Sequence, residues 1–175
     1  MSDQGSTSES RIHLPTYDGC FVCGQSHPSG LCARFYVGES GKVHAQFKPN
    51  QTQTGYLNMV HGGIISAFLD ELIGWGICLA SEMLCYTGEL TIRFRKQVFA
   101  GQTYLGTADR PTRPEGKRYW DGRGELADES GNVLAEATGR YFLGPEALTR
   151  AFGEQLTYQP GDVPLFREPL VKPTP

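Results

Sequence analysis

Several things are scarce in this sequence, and each scarcity closes a class of function. Positive charge is not in excess: Lys and Arg number 16 against 19 Asp and Glu, a net charge of −3. A dedicated nucleic-acid binder is normally basic, so that role is disfavoured. Cysteine is sparse and odd in number, five in 175 residues, which fits a reduced cytosolic chain better than a disulfide scaffold. No charged-then-apolar pattern of a secretory leader opens the chain, and residues 1–10 carry no apolar residue after Met1. The expected compartment is cytoplasmic. A Gly-x-Ser-x-Gly elbow is missing, against a Ser-His-Asp hydrolase, and so are a Gly-x-Gly-x-x-Gly run and a phosphate loop. The longest apolar segment has two carboxylates in its middle, too polar for a membrane span.

That segment, His61 followed by residues 62–80, organises the rest. Read as a helix over 62–80, it runs roughly 28 Å at 1.5 Å per residue. Ile64, Ile65, Phe68, Leu69, Leu72, Ile73 and Leu79 cover most of its circumference, the pattern of a buried helix. Asp70 stands on another stripe, among Gly63, Ser66, Ala67, Gly74 and Ile77. A carboxylate between small residues leaves room beside it for a ligand or another chain.

The chemistry follows from that layout. The first amides of a helix lack intrahelical partners, and the helix dipole adds positive potential there. Gly62 and Gly63 carry no side chain, so a substrate carbonyl can approach those amides closely. Asp70 is the candidate base or nucleophile, but it lies roughly 10 Å further along the same helix. One carbonyl cannot touch both. A working site therefore needs the glycine of one subunit and the aspartate of another, on antiparallel helices. Glu71 points about 100° away; it is the next candidate should Asp70 be silent. His61 precedes the helix, where orientation of the loop is favoured over general-base chemistry.

Around the helix the pattern is extended. Residues 31–37, 42–48, 87–98, 102–109, 118–127 and 133–142 alternate apolar and polar side chains between turn signals. One buried helix with five to six strands and no crossover helices cannot make a doubly wound sheet. The expected class is α+β, a long central helix wrapped by a curved antiparallel sheet. Residues 1–14 are expected to be a disordered tail, 15–144 the domain, and 145–175 an irregular Pro-rich arm that docks on a surface, with a short helix over 146–152. Residues 49–58 read as a loop into the helix, with Asn58 at the site entrance as a substrate contact or a loop cap. Cys20-Phe-Val-Cys23-Gly, with His27 and Cys32 nearby, offers only one clean pair where structural zinc normally takes four ligands. The favoured reading is a glycine-punctuated turn with its cysteines packed inward, and no metal.

The His-Gly-Gly run, the apolar helix and the Asp nine residues after His61 resemble the PaaI-type hotdog-fold acyl-CoA thioesterases, over about residues 20–143. The resemblance implies a hotdog fold and subunits paired as a homodimer or dimer of dimers (a homotetramer). It implies hydrolysis of acyl-CoA without a cofactor. Carried over, Gly63 polarises the thioester carbonyl, Asp70 of the partner subunit attacks or activates water, and Thr87 helps hold that water. Cys-x-x-Cys-Gly before the first strand recurs in that family without a catalytic role. Coenzyme A brings phosphates, so cations are expected at the rim: Arg93, Arg95 and Lys96, or Arg110, Arg113, Lys117 and Arg118. Gly62, Asn58 and Glu71 join Arg93 and Arg95 as candidate substrate contacts, and His61 joins the catalytic set. Phe68, Trp75 and Tyr56 are expected to line the acyl pocket. Two other readings compete: a hotdog hydratase or dehydratase, weakened by the lack of a second His near Asp70, and a non-catalytic acyl-CoA-binding module.

Overall fold

The structure, a computed structural model, describes residues 11–166. In chain order the elements are β1 (Ile12–His13), β2 (Phe35–Val37), β3 (Val43–Phe47), β4 (Thr54–Tyr56), β5 (Met59–Val60), α1 (Gly62–Ser81), β6 (Cys85–Phe94), β7 (Tyr104–Ala108), β8 (Tyr119–Ala127), β9 (Val133–Leu143) and α2 (Glu146–Gly153). Seven strands form one antiparallel sheet in the order β1-β2-β3-β7-β8-β9-β6. The sheet wraps α1, whose Phe68, Leu69, Leu72, Ile73 and Ile77 are fully buried against it. This is the expected α+β architecture. By length and composition α1 is apolar enough to cross a membrane; here those side chains are the core.

Glycine lets the sheet come this close. A Cβ at Gly106 would stand 2.5 Å from the Phe68 ring, and one at Gly122 would stand 2.2 Å from Ile73. The helix is bounded by identifiable caps. His61, with extended backbone, accepts the Gly63 N–H on its side chain, and Glu82 ends the helix in the left-handed region at φ 55°.

Three expectations change. The sheet has seven strands rather than five to six, because Ile12 and His13 pair with Val37 and Tyr36. The domain therefore begins inside the tail expected over 1–14: Leu14 is fully buried, and two residues suffice for a short edge strand. Residues 1–10 lie outside the described residues. The stretch at 49–58 is not plain loop but a 3-10 turn (Gln51–Gln53) and the β4–β5 hairpin. Leu57 and Asn58 both have positive φ there, as a two-residue reversal requires.

The C-terminal arm docks on its own domain. Thr16 and Thr157 exchange backbone hydrogen bonds at 3.0 and 2.8 Å, and the Val163 N–H donates to His13 at 2.8 Å. Arg34 pairs with Asp162 at 2.6 Å, and Leu165 and Phe166 are buried. The short helix expected over 146–152 is α2. Residues 167–175 of the arm lie outside the described residues.

Candidate active site

Asp70 sits in the middle of α1, on the stripe of Gly63, Ser66, Ala67 and Gly74 that the sheet leaves partly uncovered. Two side chains fix its carboxylate. Thr87 Oγ1 donates to Asp70 Oδ1 at 2.8 Å, and Tyr141 Oη donates to the same oxygen at 2.9 Å. Thr87 and Tyr141 are ladder partners on β6 and β9, and the register shifts between Thr87 and Glu89. Such a bulge re-aims side chains at a sheet edge. Oδ2 has no partner among the described residues.

Tyr141 was not foreseen. A signal existed: Ala135, Ala137, Gly139 and Tyr141 form the inward row of β9, and a lone phenol in a row of small residues needs a polar partner. Burial, then the Asp70 charge, makes it a much weaker acid than an ordinary phenol. The O–H therefore stays protonated and remains a donor. Beside this pair lies a cavity of about 120 Å³ lined by Glu71, Trp75, Cys78, Cys85 and Phe152 among others. Cys78 Sγ and Cys85 Sγ lie 3.7 Å apart there.

Glu71 leaves Asp70 and turns to the N-terminal loop. Its Oε1 lies 3.2 Å from Cys20 Sγ and accepts the Trp75 indole N–H at 3.0 Å. Burial, then the neighbouring Cys20, raises its carboxyl to about 8. Hydrogen bonding from Cys23, side chain first and then the amides of Cys23 and Val22, holds the Cys20 thiol down at about 5.

The other end of α1 is a separate place. His61 Nδ1 accepts the Gly63 N–H at 2.9 Å, so the imidazole is a cap and its Nδ1 carries no proton. Gly63, expected to polarise a carbonyl, thus has its amide engaged. The Gly62 N–H has no acceptor among the described residues. Gly62 lines an open groove of about 820 Å³ with Tyr56, Ile65, Phe94, Arg95, Lys96 and Leu134 among others.

The remaining expected contacts are scattered. Arg95 lines the groove, but its Nε and Nη2 both hold Glu136 Oε2, at 2.9 and 2.7 Å. Arg93 is exposed on β6. Asn58 is a turn residue whose carbonyl accepts the Ala100 N–H at 3.0 Å. Of the residues expected in an acyl pocket, Trp75 lines the cavity and Tyr56 the groove, whereas Phe68 is core, stacked 4.6 Å from Phe47. Of the other expected cations, Arg110 lines a cavity with Arg123 and Arg140, and Arg113 and Arg118 line another with Trp120 and Phe142, both apart from Asp70 and Gly62.

No protein-family model matches the chain. It is 29% identical over 124 residues to an uncharacterized protein of Schizosaccharomyces pombe, covering 67% of this chain and 69% of that protein. Among solved structures it is similar to a thioesterase superfamily protein, RHA08564, at 18% identity and a TM-score of 0.65, over 71% of this chain and 60% of that one. The chain thus spans less than two thirds of that protein's length. It is also similar to the E. coli PaaI protein of the phenylacetic acid degradation operon, at 19% identity and a TM-score of 0.57, over 66% of this chain and 81% of that one. With the BH2602 protein of Bacillus halodurans, solved with CoA, it shares 26% identity at a TM-score of 0.55, over 63% of this chain and 73% of that one. The long helix held in a curved antiparallel sheet is the hotdog fold, and in fold the chain is similar to the PaaI protein and to that thioesterase superfamily protein.

Proposed function

We propose that the protein hydrolyses acyl-CoA thioesters to free acid and CoA, as a soluble cytoplasmic homodimer or dimer of dimers. The observation that carries this reading is Asp70: a carboxylate anchored through one oxygen by Thr87 and Tyr141, with its other oxygen unengaged, beside a cavity. Such a group attacks a thioester carbonyl or takes a proton from water that does so. The C–S bond then breaks and CoA leaves as the thiol.

The oxyanion needs an amide donor. We assign Gly62 rather than Gly63, since the imidazole of His61 holds the Gly63 N–H. Gly62 and Asp70 are about 12 Å apart along one helix, so one site takes Gly62 from one protomer and Asp70 from its partner. Two features favour that pairing. The small-residue stripe of α1 allows a second helix to lie close, and β6, the last strand of the sheet, has an edge with no partner strand among the described residues. The CoA bound in the Bacillus halodurans protein supports a CoA ester as substrate. In the groove beside Gly62, Lys96 is the cation best placed for its phosphates, because Arg95 is committed to Glu136.

A panel of acyl-CoAs with a thiol reagent tests the reading. Release of free CoA by the wild type, lost in Asp70→Asn, is expected. Full turnover in Asp70→Asn, or a thioester left intact across the panel, would overturn it.

A further inference from the structure

One cluster lies outside this reading. Cys20 and Cys23 sit on a turn after β1, closed by Gly24, whose N–H donates to the Cys20 carbonyl at 3.0 Å. No side chain fits at that glycine: a Cβ would stand 2.5 Å from the carbonyl oxygens of Asp18 and Cys20. The turn aims main-chain donors at sulfur. The Val22 and Cys23 amides donate to Cys20 Sγ at 3.2 and 3.3 Å, a setting that favours thiolate over thiol. Cys23 is fully buried.

The turn meets α1 at Glu71. Cys20 Sγ, Cys23 Sγ and a Glu71 carboxylate oxygen all lie within 4.8 Å of one another. Two sulfurs and a carboxylate gathered this tightly cannot all ionise without repelling one another, and a divalent cation at their centre removes that repulsion. Zinc bonds lengths of about 2.3 Å to sulfur and 2.0–2.2 Å to a carboxylate oxygen suit donors at this spacing. The softness of two thiolates selects zinc over magnesium or calcium. Trp75, donating to Glu71 Oε1, supplies the outer hydrogen bond that orients a ligating carboxylate.

From this geometry we propose that Cys20, Cys23 and Glu71 form a zinc site, with water as the fourth ligand, clamping the N-terminal turn onto α1 next to Asp70. Binding forms two Zn–S bonds and one Zn–O bond and releases to solvent the protons still held by the thiols and the Glu71 carboxyl, with no change of oxidation state. The pairing of sequence-distant donors explains why the cysteine pair alone reads as a packed turn. Glu71 supplies the third ligand, and only the fold brings it there.

The test uses the full chain, reduced, stripped with a chelator and titrated with cobalt(II). One equivalent is expected to give sulfur-to-metal charge-transfer absorption and the visible bands of a tetrahedral ion, both displaced by zinc. Cys20→Ser and Cys23→Ser are expected to abolish the charge transfer. Trp75→Phe, which keeps all three ligands, is expected to weaken zinc binding by about 10–100-fold. Should a cysteine variant not fold, Glu71→Gln decides, with the charge transfer retained but affinity lowered by roughly tenfold or more. Reduced wild type without charge transfer at one equivalent, or variants that bind as the wild type does, would overturn the site. None of these readouts involves thioester turnover, so this proposal and the assignment of Asp70 fail separately.

Discussion

Tyr141 donates its phenolic O–H to Asp70 at 2.9 Å, joining the far end of β9 to the middle of α1. The phenol and the Thr87 hydroxyl together occupy one carboxylate oxygen and leave the other without a partner among the described residues. The orientation of Asp70 is therefore a property of the sheet edge as much as of the helix.

Asp70→Asn is expected to lower kcat on acyl-CoA by about 10²–10⁴-fold, the usual contribution of a positioned base. Tyr141→Phe keeps the ring and removes one hydrogen bond, at a cost of about 1 kcal/mol in stability and a smaller loss of kcat. Steady-state kinetics beside thermal melts separate the two effects. A Tyr141→Phe enzyme as slow as Asp70→Asn would mean that the phenol itself takes part in the chemistry.

The two glycines at the helix start are expected to behave differently. A Cβ at Gly62 stands 3.2 Å from the half-exposed Phe94 ring, which can give way, and nothing else crowds it. Ala is the better helix former by about 1 kcal/mol. Gly62→Ala is thus expected to melt no lower than wild type while kcat/KM falls, because the methyl group obstructs the open amide. His61→Ala removes the cap and is expected to lose about 1 kcal/mol of stability. A Gly62→Ala enzyme with wild-type kcat/KM would count against Gly62 as the donor.

Subunit sharing of the site has its own measurement. Asp70→Asn and Gly62→Val proteins, each inactive, are mixed and exchanged. Half of random dimers are mixed, and a mixed isologous dimer keeps one unaltered site, so about a quarter of wild-type activity is expected to return. Were Gly62 and Asp70 to serve the same site from one protomer, mixing would restore nothing.

The pH dependence of stability can be read at Glu136. Arg95, with Arg123 behind it, holds this carboxyl below its ordinary value of 4.5. A depressed folded-state value means that the stabilisation is complete above 4.5 and is lost as the pH falls through the folded-state value. Glu136→Gln is expected to melt slightly below wild type at neutral pH, with the two melting curves converging in acid. The pair is exposed, so added salt is expected to narrow the gap as well.

Much of this was legible in the residues themselves. The apolar circumference of α1 is written in its own sequence, as is the small stripe around Asp70. The alternation of the later strands announced an antiparallel sheet, but not that β6 skips β7 to lie at the edge beside β9, and the start of α1 fell where His61 and the glycines put it. What could not be read depended on contacts between distant segments. The Asp70–Tyr141 bond joins residues 71 positions apart, and the Cys20–Glu71 contact joins residues 51 apart. Neither spacing leaves a periodic trace. The engaged amide of Gly63 was hidden for another reason: a His before a helix suggests a cap, but which amide it takes depends on one side-chain rotation. The ordered start at Ile12 was missed because two residues are too few for a period to show.

Phe152 belongs to α2 yet forms part of the wall beside Asp70, between Tyr17 at 5.5 Å and Phe166 at 6.3 Å. On the proposed function, the room beside that carboxylate for an acyl chain therefore depends on a ring held edge-on by two others from distant parts of the chain. Selectivity can drift by exchanging one of those rings while the helix and the strands stay untouched.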